Sequence, residues 1–212
     1  MDDLSFLDEL NEHGTNNAIL RVVTPDNQVC EISDRVCPYK FLDSCALLYH
    51  AFEFGFQSRP QANIDASSQS AVVSLLRYCY TGTYLAPDSE YAPISLLRHV
   101  EAYKMAIDFD VPELQLLAHG NFSCQTDFAC SLPDPPQDLF ATIRFIYEHF
   151  ADQESHHQHG LVNTLRNYCI STFLYHKLEE NVEFLKVVSD IPAFRQDLCR
   201  TNIERNFQDD CK

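Results

Sequence analysis

Three histidines in four positions, His156-His157-Gln158-His159, are the densest group of metal-capable side chains in this sequence. Neutral imidazole is a good ligand for zinc or nickel, so the cluster could hold such an ion. It stands between Asp152-Gln153-Glu154-Ser155 and Gly160, however, and that setting reads as a polar, solvated loop between helices. His99 and His119 lie in helical patterns with no His or Cys four residues on, so neither begins a helical metal pair. The nine cysteines are scattered, and no Cys-x-x-Cys occurs. They are expected to be reduced and to act as small core hydrophobes rather than zinc ligands. With five glycines in the chain there is no Gly-x-Ser-x-Gly elbow and no phosphate-cradling loop. Cys37 and Cys79 sit in apolar runs that favour the protonated, unreactive thiol. The pairs Glu179-Glu180 and Asp209-Asp210 are most simply solvated helix ends or tail. The sequence therefore leads us to expect no enzyme, no cofactor and no metal.

The apolar residues carry more information. Phe52-Glu53-Phe54-Gly55-Phe56 places several rings at the end of a helix, too many for one buried face. With 15 Phe and no Trp, some of these rings must fill the core. Phe54 and Phe56 are kept as candidates for an interface. At the N-terminus, Leu4, Leu7 and Leu10 form the stripe of a short amphipathic helix, with Asp2 and Asp3 favourable at its start and Gly14 closing it. Such a helix is too short to be stable alone in water and needs a surface on which to bury that stripe. Leu4, Leu7, Leu10, Phe54 and Phe56 are thus the candidate protein-interface residues.

Charge limits the partners. Fifteen basic residues against 31 acidic ones give the 212-residue chain a net charge of -16. It repels phosphate backbones, which disfavours direct binding of nucleic acid or an anionic membrane surface. No run approaches the ~18 apolar residues of a membrane span. Met1-Asp2-Asp3 lacks the basic flank of a signal peptide. An intracellular location, cytoplasmic or nuclear, is the expectation.

The elements that must position these residues follow from periodicity and punctuation. Ala18 to Thr24 is rich in β-branched residues and reads as a strand, Pro25-Asp26-Asn27 as a turn, and Gln28 to Ile32 as the returning strand. Ser33 or Asp34 suits the cap of a helix starting near Arg35, with Pro38 in its first turn. Phe41-Leu42 and Leu47 to Phe52 supply an apolar face. Ala62-Asn63-Ile64-Asp65 is a third strand, and Ser67-Ser68 a cap. Val72, Val73, Leu75, Leu76, Cys79 and Tyr80 then have helical spacing broad enough for burial on more than one side. Thr81-Gly82 stops this helix, because Gly accepts the left-handed conformation without a Cβ penalty. Ile94 to Phe109 is strongly amphipathic, and Pro112 opens a helix from Glu113 to Phe122. Pro133-Asp134-Pro135-Pro136 marks a boundary. Beyond it, apolar periodicity gives four further helices: Leu139 to Phe150, Leu161 to Leu174, Val182 to Val188, and one opened by Pro192.

The stretch Leu76-Arg77-Tyr78-Cys79-Tyr80-Thr81-Gly82 resembles the helix ending in Leu-x-Tyr-x-Tyr-Thr-Gly that marks BTB/POZ domains. At the right distance, Tyr103, Ala106, Phe109, Asp110, Val111 and Leu114 are similar to that family's next helix pair, Tyr-x-x-Ala-x-x-Tyr/Phe-Asp-h-x-x-Leu (h, hydrophobic). Phe6 to Glu12 resembles the helix with which many of these domains open, and which packs across a dimer interface. Asp190-Ile191-Pro192-Ala193-Phe194 is similar to an h-Pro-x-Phe signal near the C-termini of fungal BTB proteins with a helical extension. The resemblance implies an α+β BTB/POZ fold, a small sheet capped by a cluster of helices, followed by an all-helical C-terminal extension. The implied divisions are 1–15 (acidic helical segment), 16–124 (BTB/POZ domain), 125–138 (linker) and 139–212 (helical extension). The chain departs from the family pattern at Asn17-Ala18 and Ser33-Asp34, where an Asp and a His-Lys pair are usual. Ser44-Cys45-Ala46-Leu47 follows the Ser-x-x-Phe signal only loosely. Phe56-Gln57-Ser58 stands where a hydrophobic-x-Glu signal contacts a cullin-3-type scaffold, and Ser58 lacks that carboxylate.

The function so implied is binding: a homodimeric, self-associating adaptor with protein partners, and a substrate receptor of a cullin-3-type ubiquitin ligase. The alternative is a BTB scaffold subunit of a nuclear transcription-regulatory or chromatin complex, acting through partners. A metal- or thiol-dependent enzyme ranks last.

Overall fold

The computed structural model describes residues 4–10, 17–55, 59–86, 93–150 and 159–209, with side chains described for all but 8–10, 159 and 204–209. Among the described residues it is a mixed α+β structure with one four-stranded sheet. The chain divides into two compact units, one of residues up to Ala92 plus Glu101–Ala118, the other of Pro93–Val100 plus His119 onward.

In the first unit, strand β1 (Ala18–Val23) is built from alternating residues. Ala18, Leu20 and Val22 are fully buried, while Ile19, Arg21 and Val23 are only partly so. β1 pairs antiparallel with β2 (Val29–Val36) across the Pro25-Asp26 turn, where Asn27 takes a positive φ of 58°. The expected helix near Arg35 does not form. β2 continues through Val36, which pairs with Ala18 across two register shifts. Ladder bonds and the burial of Val36 outweigh the local capping preference of Ser33 and Asp34. Only after Cys37 does Pro38–Phe41 turn into a 3-10 helix, with Pro at its start as its fixed φ favours. Arg59 closes this end of the sheet. Its Nε donates to the Asn17 carbonyl at 2.6 Å, a second nitrogen donates to the Asp34 carbonyl, and the Asp34 carboxylate lies 3.6 Å away.

Helix α2 (Ala46–His50) leads to β3 (Glu53–Phe54), which pairs antiparallel with β4 (Pro60–Asp65). β4 returns parallel to β1, giving the order β2-β1-β4-β3. Helix α3 (Gln69–Thr81) follows the local signals closely. Ser68 Oγ accepts from the Ala71 N–H at 3.1 Å, and Gly82 ends the helix at a φ of 74°, donating to the Tyr78 carbonyl. Every residue from Ala71 to Arg77 is buried, as a helix apolar on several sides requires.

Helices α4 (Leu96–Asp108) and α5 (Pro112–Ala129) contribute to both units. α4 ends with Asp110 at a φ of 53° while the Val111 N–H reaches back to the Ala106 carbonyl at 2.8 Å. This is a Schellman-type stop in which Asp stands in for Gly. α5 outruns the expected end at Phe122 by nearly two turns, with Thr126 Oγ1 donating back to the Phe122 carbonyl.

The second unit is helical. It adds α6 (Leu139–His149), α7 (His159–Thr172), α8 (Val182–Asp190) and α9 (Pro192–Asp209). Its core is an aromatic cluster. Phe194, fully buried, meets Tyr147 at 5.1 Å and Phe184 at 6.0 Å between ring centroids. Asn181 caps α8 by accepting from the N–H groups of Glu183 and Phe184. Among the described residues no helix is long and apolar enough to cross a membrane.

Candidate protein-interaction surface

Of the N-terminal stripe, Leu7 packs inside its own chain. In α1 (Ser5–Leu10), Phe6 and Leu7 are buried, Leu7 to 2% exposure, against α3 and β2 of the first unit. Phe6 meets the edge of Tyr80 at 5.7 Å, and the Arg77 guanidinium sits over its ring at 4.6 Å. Leu4, partly exposed, borders a small cleft with Leu7, Ile32 and Asp34. The Leu10 side chain lies outside the described residues. A short helix needs a surface for its apolar side, and α3 and β2 supply one for Phe6 and Leu7.

Phe54 presents the opposite case. The sequence put it at the end of a helix, whereas it lies on the two-residue edge strand β3, opposite Pro60. It is 82% exposed, the most open of the large hydrophobic side chains described. Phe56, like Gln57 and Ser58, lies outside the described residues. Pro60 cannot donate to a ladder and β3 is very short, so this edge is a poor template for strand addition. What it offers is side chains.

Phe54 stands at the rim of a groove of about 380 Å³ lined also by Tyr39, Tyr49, His50, Phe52 and the prolines 38 and 60. Two local features build it. The 3-10 turn and α2 are so short that neighbouring large residues face opposite ways: Phe41 and Leu48 go into the core, Leu42 and Leu47 outward. Phe52 stacks on the buried Phe41 at 5.9 Å with an interplanar angle of 12°, which anchors the chain just before β3. Tyr39 and Tyr49 then lie 6.2 Å apart as one wall. Tyr39, Leu42, Leu47 and Phe54 are all exposed, on one stretch between β2 and β4. Rigid aromatic side chains over a fixed backbone are the type that dominates protein interfaces.

Sequence reasoning missed Tyr39, Leu42 and Leu47. The available signal was the pairing of adjacent large residues, Phe41-Leu42 and Leu47-Leu48, because one face of a short helix cannot hold both members.

The cysteines and histidines are placed as follows. Cys45 and Cys79 form a thiol–thiol hydrogen bond, and that contact together with burial pushes the Cys79 thiol up. Burial pushes Cys169 up to about 12, so it too is a protonated thiol at neutral pH. His156, His157 and Gln158 lie outside the described residues, and His159 begins α7. Among the described residues no group of three His, Cys, Asp or Glu is arranged to hold a metal ion. The sequence matches no family model, and no curated protein matches it.

Proposed function

We propose that the chain is a non-enzymatic protein–protein interaction adaptor of BTB/POZ type, whose first unit self-associates and recruits a partner scaffold. The observation that carries this reading is the exposed set Tyr39, Leu42, Leu47 and Phe54 on one short stretch of the sheet-containing unit. Solvent-exposed aromatic and aliphatic side chains concentrated in this way are characteristic of a covered surface. The element order supports the family reading. A small sheet opened by the β1–β2 hairpin and followed by an α3 that ends in Tyr80-Thr81-Gly82 is compatible with the small sheet and helices that the BTB/POZ resemblance implies. Helices α6 to α9, from Leu139 onward, are read as the fungal-type extension. Within that reading the partner is a cullin-3-type ubiquitin ligase scaffold, contacted near Phe54 without the glutamate that Ser58 replaces, and the compartment is cytoplasmic or nuclear.

Light scattering at micromolar concentration, combined with pull-down of a cullin-type scaffold, tests this. Wild-type protein is expected to be a dimer that retains the scaffold. Tyr39→Asp with Leu47→Asp should give a folded monomer, because both positions are already exposed, and Phe54→Asp should lose the scaffold. A monomeric wild type sinks the self-association, and a dimer indifferent to both aspartates sinks its assignment to this surface. Scaffold absent from the wild-type pull-down sinks the ligase role.

A further inference from the structure

The second unit carries an apolar groove of about 490 Å³ between the end of α7, α8 and α9. Phe173, Leu174, Leu185, Val188 and Leu198 line it, and Leu174 and Leu185 are 78% and 50% exposed. Along α9 its wall is one stripe, because Arg195, Leu198, Cys199 and Asn202 fall at i, i+3, i+4 and i+7. That stripe is about 10 Å long, two turns of helix.

Its electrostatics differ from those of the chain as a whole. Among the residues lining the groove Arg195 alone is charged, and it forms no ion pair among the described residues. The acidic residues nearest to it in sequence are engaged elsewhere. Asp190 is held by Arg144 at 3.2 Å, and Asp197 accepts from the Tyr147 hydroxyl at 2.9 Å. A protein of net charge -16 thus presents, at this apolar recess, a single cation.

We propose that this groove docks an amphipathic helix of a partner protein, with leucine-like anchors on one face and an aspartate or glutamate beside them that pairs with Arg195. Apolar anchors at helical spacing laid into a groove are a general mode of peptide recognition. The two-turn stripe on α9 has the length and period to receive them. A second copy of the chain fits worse: a two-fold interface through this face brings Arg195 toward another Arg195, and none of the groove's lining residues supplies a carboxylate. The groove needs only the second unit, so a failure of the first unit to self-associate leaves this proposal standing, and the reverse also holds.

The probe is a displayed library of helical peptides, with leucines fixed at i, i+3, i+4 and i+7 and all flanking positions varied, selected on the full chain. Peptides with Asp or Glu flanks are expected to be enriched over those with Lys or Arg. Arg195→Glu should reverse that preference, and Leu174→Asp should abolish enrichment; both residues are exposed, and unchanged melting curves verify the fold. The best peptide, synthesised, should slow alkylation of Cys199 by iodoacetamide by at least about tenfold, an occupancy set by its affinity. The exposed Cys124 and Cys130 should keep their rates. The proposal is overturned by equal enrichment on Leu174→Asp, by a flank preference that Arg195→Glu leaves alone, or by unprotected Cys199. Dimerisation that Leu174→Asp abolishes would assign the groove to a second copy and overturn it equally.

Discussion

His99 makes the stability of the second unit sensitive to acid. It lies on α4 with 1% of its surface exposed. Burial, above all, lowers its pKa from 6.5 to about 4; the Arg98 charge adds to this, while the Gln125 hydrogen bond and the Asp138 carboxylate oppose it. Above the unfolded value of 6.5 the imidazole is neutral in both states and contributes nothing to the pH dependence. As pH falls from there, the unfolded chain takes up a proton that the folded one refuses, so unfolding becomes easier. The effect is complete near the folded pKa of about 4. A displacement of about 2.5 pH units corresponds to about 3 kcal/mol at 1.36 kcal/mol each. His99→Gln keeps a side chain able to hydrogen-bond and removes the titration. Urea unfolding of both proteins, followed by circular dichroism from neutral pH to about pH 4, isolates the term, because the carboxylates titrate alike in each. Wild type should lose about 3 kcal/mol more than the variant over that range. Parallel losses, differing by less than about 1 kcal/mol, would refute the claim that His99 is held neutral by burial.

Leu76→Ala empties a fully buried site in α3 and should cost about 2–5 kcal/mol; an unchanged melting curve would show that the residue is not core. Leu7→Asp should cost at least about 2 kcal/mol, since Leu7 is packed on its own domain; a variant that stays as stable as wild type but turns from dimer to monomer would instead place α1 in an interface. A Cβ on Gly160 would stand 2.7 Å from the His119 ring, so Gly160→Ala should destabilise by about 1–3 kcal/mol despite alanine's better helix propensity, and a rise in melting temperature would contradict this packing. Replacing His156, His157 and His159 with Ser should alter neither melting nor metal content; one equivalent of zinc in the wild type, lost in the variant, would make the cluster a metal site.

Where a structural decision is made within a few residues, it was legible in the sequence. Ser68 and Gly82 bound α3 because a cap oxygen and a left-handed glycine act on the adjacent turn. The β-branched run of β1 and the opening of α5 at Pro112 are local in the same sense. The candidate interface was legible only in part: Phe54 is exposed as an interface residue should be, but on a strand that no local pattern announced. β3 exists because β4 lies beside it, and pairing between separate segments leaves little trace in either. Leu7 likewise showed its need for burial but not its partner, and α3 and β2 of the same unit provide it. Asp138 stands directly before α6, where its type suits a local cap. Its carboxylate instead accepts from Ser95 Oγ and the Leu97 N–H at the start of α4, and leaves the α6 terminus without a side-chain cap. Leu174 and Leu185 carry the same helical periodicity as their buried neighbours, yet they stay exposed and form the groove. Periodicity fixes which side of a helix is apolar. How much of that side is covered depends on helices distant in sequence, and only the packed structure decides it.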